Sequence, residues 1–149
     1  MTSEEYVPAV DAGHALESLR DSNFDFYSAL FEVVDNSIQA KAKNIWISID
    51  FEQIRRSDIV SYISILDDGD GMEGTVLHNC MKLGYSTRYN QRDGIGRFGV
   101  GMTLAAISQC EHIFAWSKIK SASDWVGTVL DLPKINNGEI ELSHDTIIF

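Results

Sequence analysis

Proline and cysteine each occur only twice in this chain, and the 12 basic side chains are outnumbered by 22 acidic ones. Cys80 and Cys110 stand far apart, form no CxxC pair and have no metal-type spacing, so both read as small buried hydrophobes. The four histidines (His14, His78, His112 and His144) make no HxxxH pair, which argues against zinc. No apolar run approaches the length needed to span a bilayer. The N-terminal "MTSEEYVPAV" lacks the basic-then-apolar pattern of a signal peptide, so the expected compartment is the cytoplasm. A net charge of −10 argues against gripping nucleic acid through this acidic domain alone. Any phosphate ligand would need backbone N–H groups, a helix dipole or a cation.

What is present is a globular composition: 44% apolar residues, with charges mixed through 149 residues. That suffices for one domain with a sizeable core. Residues 1–12 read as an N-terminal arm and 13–149 as the domain. A short helix is predicted around His14–Arg20 and a longer one from about Phe24 to Lys41. In the latter, Leu30, Val33, Val34 and Ile38 form a core-facing stripe. Glu32, Asp35, Asn36 and Gln39 group on the opposite side.

"NIWISIDF" and "IVSYISILDD" alternate and read as an antiparallel hairpin joined by the polar "QIRRSD". A short helix at about Thr75–Lys82 follows. The polar, glycine-rich "GYSTRYNQRDGIGRFGVG" reads as a long loop that opens onto a small-residue helix, "MTLAAIS". "EHIFAWSK", "SDWVGTVLDL" and "GEIELSHDTIIF" read as three further strands. This order is not a βαβ alternation. It predicts an α+β fold, with one mixed, mostly antiparallel sheet covered by helices on one face.

"GIGRFG" matches GxGxxG, but a polar stretch precedes it, not the buried strand that a dinucleotide fingerprint requires. Four glycines in eight positions (Gly94, Gly96, Gly99 and Gly101) nevertheless let the backbone approach a ligand and aim N–H groups at it. In "ILDDGDGM", Asp67 closes an apolar strand, where a carboxylate can accept from an exocyclic amino group. Gly69 and Gly71 would admit a flat ring against the backbone, and Met72 offers a polarisable contact. The spacing does not fit an EF-hand calcium loop.

"EVVDNSIQA", "DDGDGM" and "GRFGVGM", in that order, resemble the N, G1 and G2 boxes of the GHKL ATPases. That superfamily includes DNA gyrase B subunits, ninety-kilodalton heat-shock chaperones, sensor histidine kinases and MutL. The wording is most similar to Microrchidia-like and related prokaryotic ATPases. The resemblance covers about residues 14–149 and implies a Bergerat-type two-layer sandwich with a flexible ATP lid, binding ATP and Mg²⁺. Glu32 matches the base that activates water, and Asn36 the Mg²⁺ ligand. Asp67 matches the adenine-binding carboxylate, with Gly71 and Met72 beside the base. Gly96, Arg97, Phe98, Gly99, Val100 and Gly101 match the phosphate-holding loop. Thr146 resembles a late threonine that assists Asp67, although Asp145 stands where the family has glycine. Ser86, Thr87 and Arg88 resemble the start of the lid.

The implied function is Mg-dependent ATP hydrolysis that drives a conformational or dimerisation switch. In many relatives ATP dimerises the domain, and a downstream transducer domain supplies a lysine to the γ-phosphate. The chain ends at "DTIIF", where that domain would begin, so slow turnover is expected of this piece. The alternatives are a histidine-kinase-type catalytic domain and a nucleotide-sensing module without turnover. Kinase N boxes generally carry Asn at the position of Glu32, so Glu32 favours hydrolysis.

Overall fold

The computed structural model describes residues 12–21, 24–82 and 101–139. The predicted lid, most of the glycine-rich loop, the N-terminal arm up to residue 11 and residues 140–149 of the last strand expected over 138–149 lie outside the described residues, while Gly138 lies in a turn and Glu139 in a bend. Helix α1 spans Ala12–Arg20 and α2 spans Phe26–Gln39. Asp25 caps α2 from extended backbone: its carboxylate accepts from the Ser28 N–H and hydroxyl, both at 2.9 Å. The α2 C-terminus closes in a Schellman turn. Lys41 N–H donates to the Ile38 carbonyl and Ala42 N–H to that of Ser37, with Lys41 in the left-handed position (φ 61°) where glycine is usual.

The face that α2 buries differs from the predicted one. Ala29 and Ser37 are its buried residues, whereas Ile38 is 58% exposed. The reason is the neighbour: α2 lies against α4 (Gly101–Gln109), whose small side chains let the two helices approach. Ser37 is buried toward the end of β2, where its hydroxyl meets Asp67.

Strands β1 (Ile45–Ile54) and β2 (Ser57–Asp67) pair antiparallel. Only Arg55 and Arg56 connect them, both with positive φ (49° and 77°), as a two-residue primed turn requires. The register shifts at Asp50/Phe51, where Ser61 is the extra residue and its hydroxyl donates to the Asp50 carbonyl at 3.1 Å. The bulge sets Phe51 opposite Val60, so both continue the face that carries Ile47, Ile49 and Ile63.

Helix α3 (Gly74–Cys80) follows. Beyond α4, β3 (His112–Ser117) pairs antiparallel with β4 (Val126–Asp131). A short helix, α5 (Leu132–Asn136), comes next where a plain connection was expected. Its signals were present: Asp131 caps it, Pro133 sits in its first turn and Gly138 follows with φ 71°.

The elements are α+β, but among the described residues the strands form two separate two-stranded sheets, not the single mixed sheet expected. The core sits where α1, α4, β4 and α5 meet. Ile107, Leu130, Leu132 and Ile135 are buried, with Leu16, Leu19, Leu104 and Ile113 packed against them. Cys80 is half-buried and Cys110 exposed, so Cys110 is not the buried hydrophobe predicted. Burial pushes the Cys80 thiol up to about 11, leaving it protonated at neutral pH. No helix among the described residues is long and apolar enough to cross a membrane.

Candidate functional site

Helix α2 gathers the sequence motifs. Glu32 is half-buried on its side toward α4. A Cβ added to Gly101, the first residue of α4, would overlap Oε2 of Glu32 and lie 3.2 Å from its Cδ. The carboxylate therefore occupies space that only glycine leaves open. It stands beside a first helical turn, whose free N–H groups carry partial positive charge. One turn further, Asn36 is exposed, and its Nδ2 donates to the Glu32 carbonyl at 2.9 Å. This fixes the amide on its own helix.

Asp67 ends β2 with both carboxylate oxygens engaged. Oδ2 accepts from the Ser37 hydroxyl at 2.9 Å, and Oδ1 from the Gly69 N–H at 2.8 Å. Ser37 is buried and follows Asn36 directly, so one helix aims Asn36 and holds Asp67. The sequence reading missed Ser37. Its signal was a small polar residue on a helix turn between two chemically marked positions, but its partner lies on a distant strand.

The DGDG loop is stitched on both sides. Asp70 N–H donates to the Ala40 carbonyl at 2.8 Å. The Asp70 carboxylate pairs with Lys120 at 3.1 Å and with Lys41 at 3.4 Å, and these cations, Lys120 foremost, hold its pKa below the usual value. Asp68 accepts from the Asn44 backbone and side chain and from the Lys43 N–H at 2.7–2.9 Å. The Asn44 backbone bond leads in depressing its pKa to about 2.

The glycines were expected to admit a ligand ring. In the structure, the direction a Cβ would take is filled by protein at both. At Gly69 it meets the Cβ and carbonyl oxygen of Ala40 at 2.8 Å. At Gly71, where φ is 74°, it meets the Lys118 carbonyl group. Both glycines thus serve close approach between backbone segments. Met72 N–H donates to the Ser117 hydroxyl at 2.7 Å, which ties the loop to β3.

A small cavity of about 170 Å³ opens beside Met72, lined also by Gly74, Lys118, Ile119, Ala122 and Val126. Glu32, Asn36 and Asp67 are not among its lining residues. Among the described residues, no three His, Cys, Asp or Glu side chains gather as a metal-binding group. Gly96, Arg97, Phe98, Gly99, Val100 and Thr146 lie outside the described residues, as do Ser86, Thr87 and Arg88. Hence Glu32, Asn36, Asp67, Gly71, Met72 and Gly101 are the predicted site residues whose positions are defined.

Two plant proteins are similar to this chain. Protein MICRORCHIDIA 4 of Arabidopsis thaliana is 29% identical over 91 residues, covering 60% of this chain and 11% of the relative. Protein MICRORCHIDIA 5 of the same plant is 30% identical over 80 residues, covering 53% of this chain and 11% of the relative. The chain therefore spans about a ninth of the length of these relatives. A sequence profile of the histidine kinase-, DNA gyrase B- and HSP90-like ATPases matches residues 24–147, which takes in all three boxes. The match covers most of the chain, and the chain belongs to this ATPase family.

Proposed function

We propose that the chain is an ATP-binding and ATP-hydrolysing domain whose nucleotide state drives a conformational or dimerisation switch. The observation that carries this reading is the convergence on one helix. Glu32 contacts the start of α4, Ser37 holds Asp67, and Ala40 receives the DGDG loop.

The donor set fits a magnesium-bound nucleotide. A carboxylate has about four acceptor sites, so Asp67 keeps capacity for an adenine amino group after accepting from Ser37 and Gly69. The amide nitrogen of Asn36 is engaged on its own helix, and its Oδ1 would serve as a single protein ligand to a cation. Magnesium suits one protein oxygen alongside water and phosphate oxygens. When bound, it supplies positive charge to the phosphates of a ligand held by an acidic chain. Gly96, Arg97, Phe98, Gly99, Val100 and Gly101 would offer backbone N–H groups to those phosphates. Thr146 would assist Asp67.

Glu32 takes a proton from a water whose oxygen bonds to the γ-phosphorus as the bond to the β-phosphate oxygen breaks. Phosphoryl transfer asks little covalent chemistry of the protein, so placing that water is the main task. The wider architecture in this reading is a Bergerat-type sandwich over residues 13–149, with a lid at the glycine-rich loop. A transducer domain of the longer protein would complete the γ-phosphate site, and ATP would promote homodimers.

ATP titration and single-turnover phosphate release test the assignment. Glu32→Gln retains ATP affinity and lowers hydrolysis about a hundredfold or more. Asp67→Asn weakens binding itself by about tenfold or more. Undiminished hydrolysis by Glu32→Gln sinks the base, and unchanged binding by Asp67→Asn sinks the adenine contact. Phosphate transfer to a histidine in place of release would favour the kinase alternative.

A further inference from the structure

We propose that Gly101 is a positioning residue for Glu32: its missing Cβ seats the Glu32 carboxylate against the opening of α4 and so fixes its aim. The inference rests on the reading of Glu32 as the hydrolytic base. It goes beyond that reading because it assigns Gly101 a task toward another side chain, in addition to offering an N–H group to phosphate.

Three observations carry it. First, the space a Cβ would need at Gly101 is occupied by the Glu32 carboxylate, with Oε2 overlapping and Cδ at 3.2 Å. Second, the obstruction is specific: among the described residues beyond its own chain neighbours and helix backbone, Oε2, Cδ and Oε1 of Glu32 are the three nearest atoms to that position. Third, Gly101 has no positive φ, unlike Gly71 and Gly138, so its backbone does not call for glycine. Alanine is also the better helix former, and its cost here must come from the contact with Glu32.

Packing limits where the carboxylate can go. The backbone of α2 that carries Glu32 is held at Asp25, at the Schellman turn, through Ser37 to Asp67 and along α4. A Cβ at position 101 is therefore relieved mainly by rotating the Glu32 side chain. Rotation by one rotamer moves a carboxylate by more than the ångström or so that positioning tolerates.

The test is a double-substitution cycle in the 149-residue chain, read by single-turnover hydrolysis with protein in excess and by ATP titration. At saturating ATP, Gly101→Ala is expected to slow hydrolysis about thirtyfold to a hundredfold, with the titration reading any change at the phosphates separately. Shortening the carboxylate with Glu32→Asp makes room for the methyl group. In that background, Gly101→Ala should change the rate by less than about threefold.

Unfolding without nucleotide gives an independent reading of the contact. Gly101→Ala should raise the melting temperature less in the wild type than in a Glu32→Ala background, where helix propensity alone remains. An unchanged rate in Gly101→Ala, or the same loss in both carboxylate backgrounds, overturns the proposal. So does a melting temperature that shifts by the same amount with and without the Glu32 side chain. If Glu32→Gln hydrolyses ATP at the wild-type rate, it is the base assignment that has failed. The difference between the two melting shifts would then still report the contact.

Discussion

Ser37 is the residue through which α2 reaches the end of β2, and its effect separates from that of Asp67. Its hydroxyl donates to Asp67 Oδ2 at 2.9 Å from a buried position. Ser37→Ala removes the donor but leaves the carboxylate, which then turns more freely and still accepts from Gly69. The expected loss is about 1 kcal/mol in stability, with about fivefold weaker ATP binding. Inosine triphosphate has a carbonyl in place of the adenine amino group, so its already weak binding should barely change. Titrating both nucleotides checks this, and equal weakening of the two would mean that Ser37 supports the fold and not the adenine contact. Glu32, Asn36 and Asp67 were legible in the sequence because their spacing and box order are local patterns. Ser37 was not, since nothing local to it names a partner on a distant strand. Gly69 and Gly71 were legible as close-approach positions, but whether a ligand or the protein fills their empty side depends on Ala40 and Lys118, which only the fold brings there.

At the scale of elements, periodicity located α2 and the hairpin, and residue type placed α1, α3 and α4, but the apolar stripe did not fix which face α2 buries. For α2 the answer came from its neighbours: it lies along α4 and meets the end of β2 through Ser37, and Ile38 is left exposed. α5 escaped because its five residues carry no period, although the cap, proline and glycine that bracket it were readable. The way β2 returns to the start of β1 was also hidden. It depends on Asp68, whose carboxylate gathers the Lys43 and Asn44 N–H groups and the Asn44 side chain. These bonds lower its pKa from 3.8 to about 2, so the folded state binds this proton less readily than the unfolded chain. The stabilisation is fully present above about pH 4 and is lost as pH falls toward 2. Denaturant unfolding from pH 5 to pH 2.5 should show stability falling across that window. Asp68→Asn should be less stable at neutral pH and flatter below pH 4, and an unaltered acid slope would remove Asp68 from the account.

Two properties of the whole molecule oppose each other. The hairpin presents Ile47, Ile49, Phe51, Val60 and Ile63 on one face, with Phe51 63% exposed, and the bulge at Ser61 keeps that face continuous. An exposed apolar sheet surface favours association. The chain also carries a net charge of −10, which pushes copies apart. The Debye length shrinks from about 20–30 Å at low salt to a few ångströms near 1 M, so salt removes the repulsion and leaves hydrophobic attraction intact. Sedimentation of the chain should therefore show self-association that grows between low salt and about 0.5 M salt, the reverse of an ion-paired contact. Phe51→Glu adds charge to the middle of the face and should hold the chain monomeric at both extremes. The same substitution at Tyr62, which the register places on the opposite face, should do much less. Association that weakens with salt, or that responds equally to both substitutions, would assign the contact to charged groups or to another surface. The bulge itself is tested at Val60, which lies on the face of Ile49 and Phe51 only because Ser61 is the extra residue: Val60→Glu should act like Phe51→Glu and unlike the substitution at Tyr62.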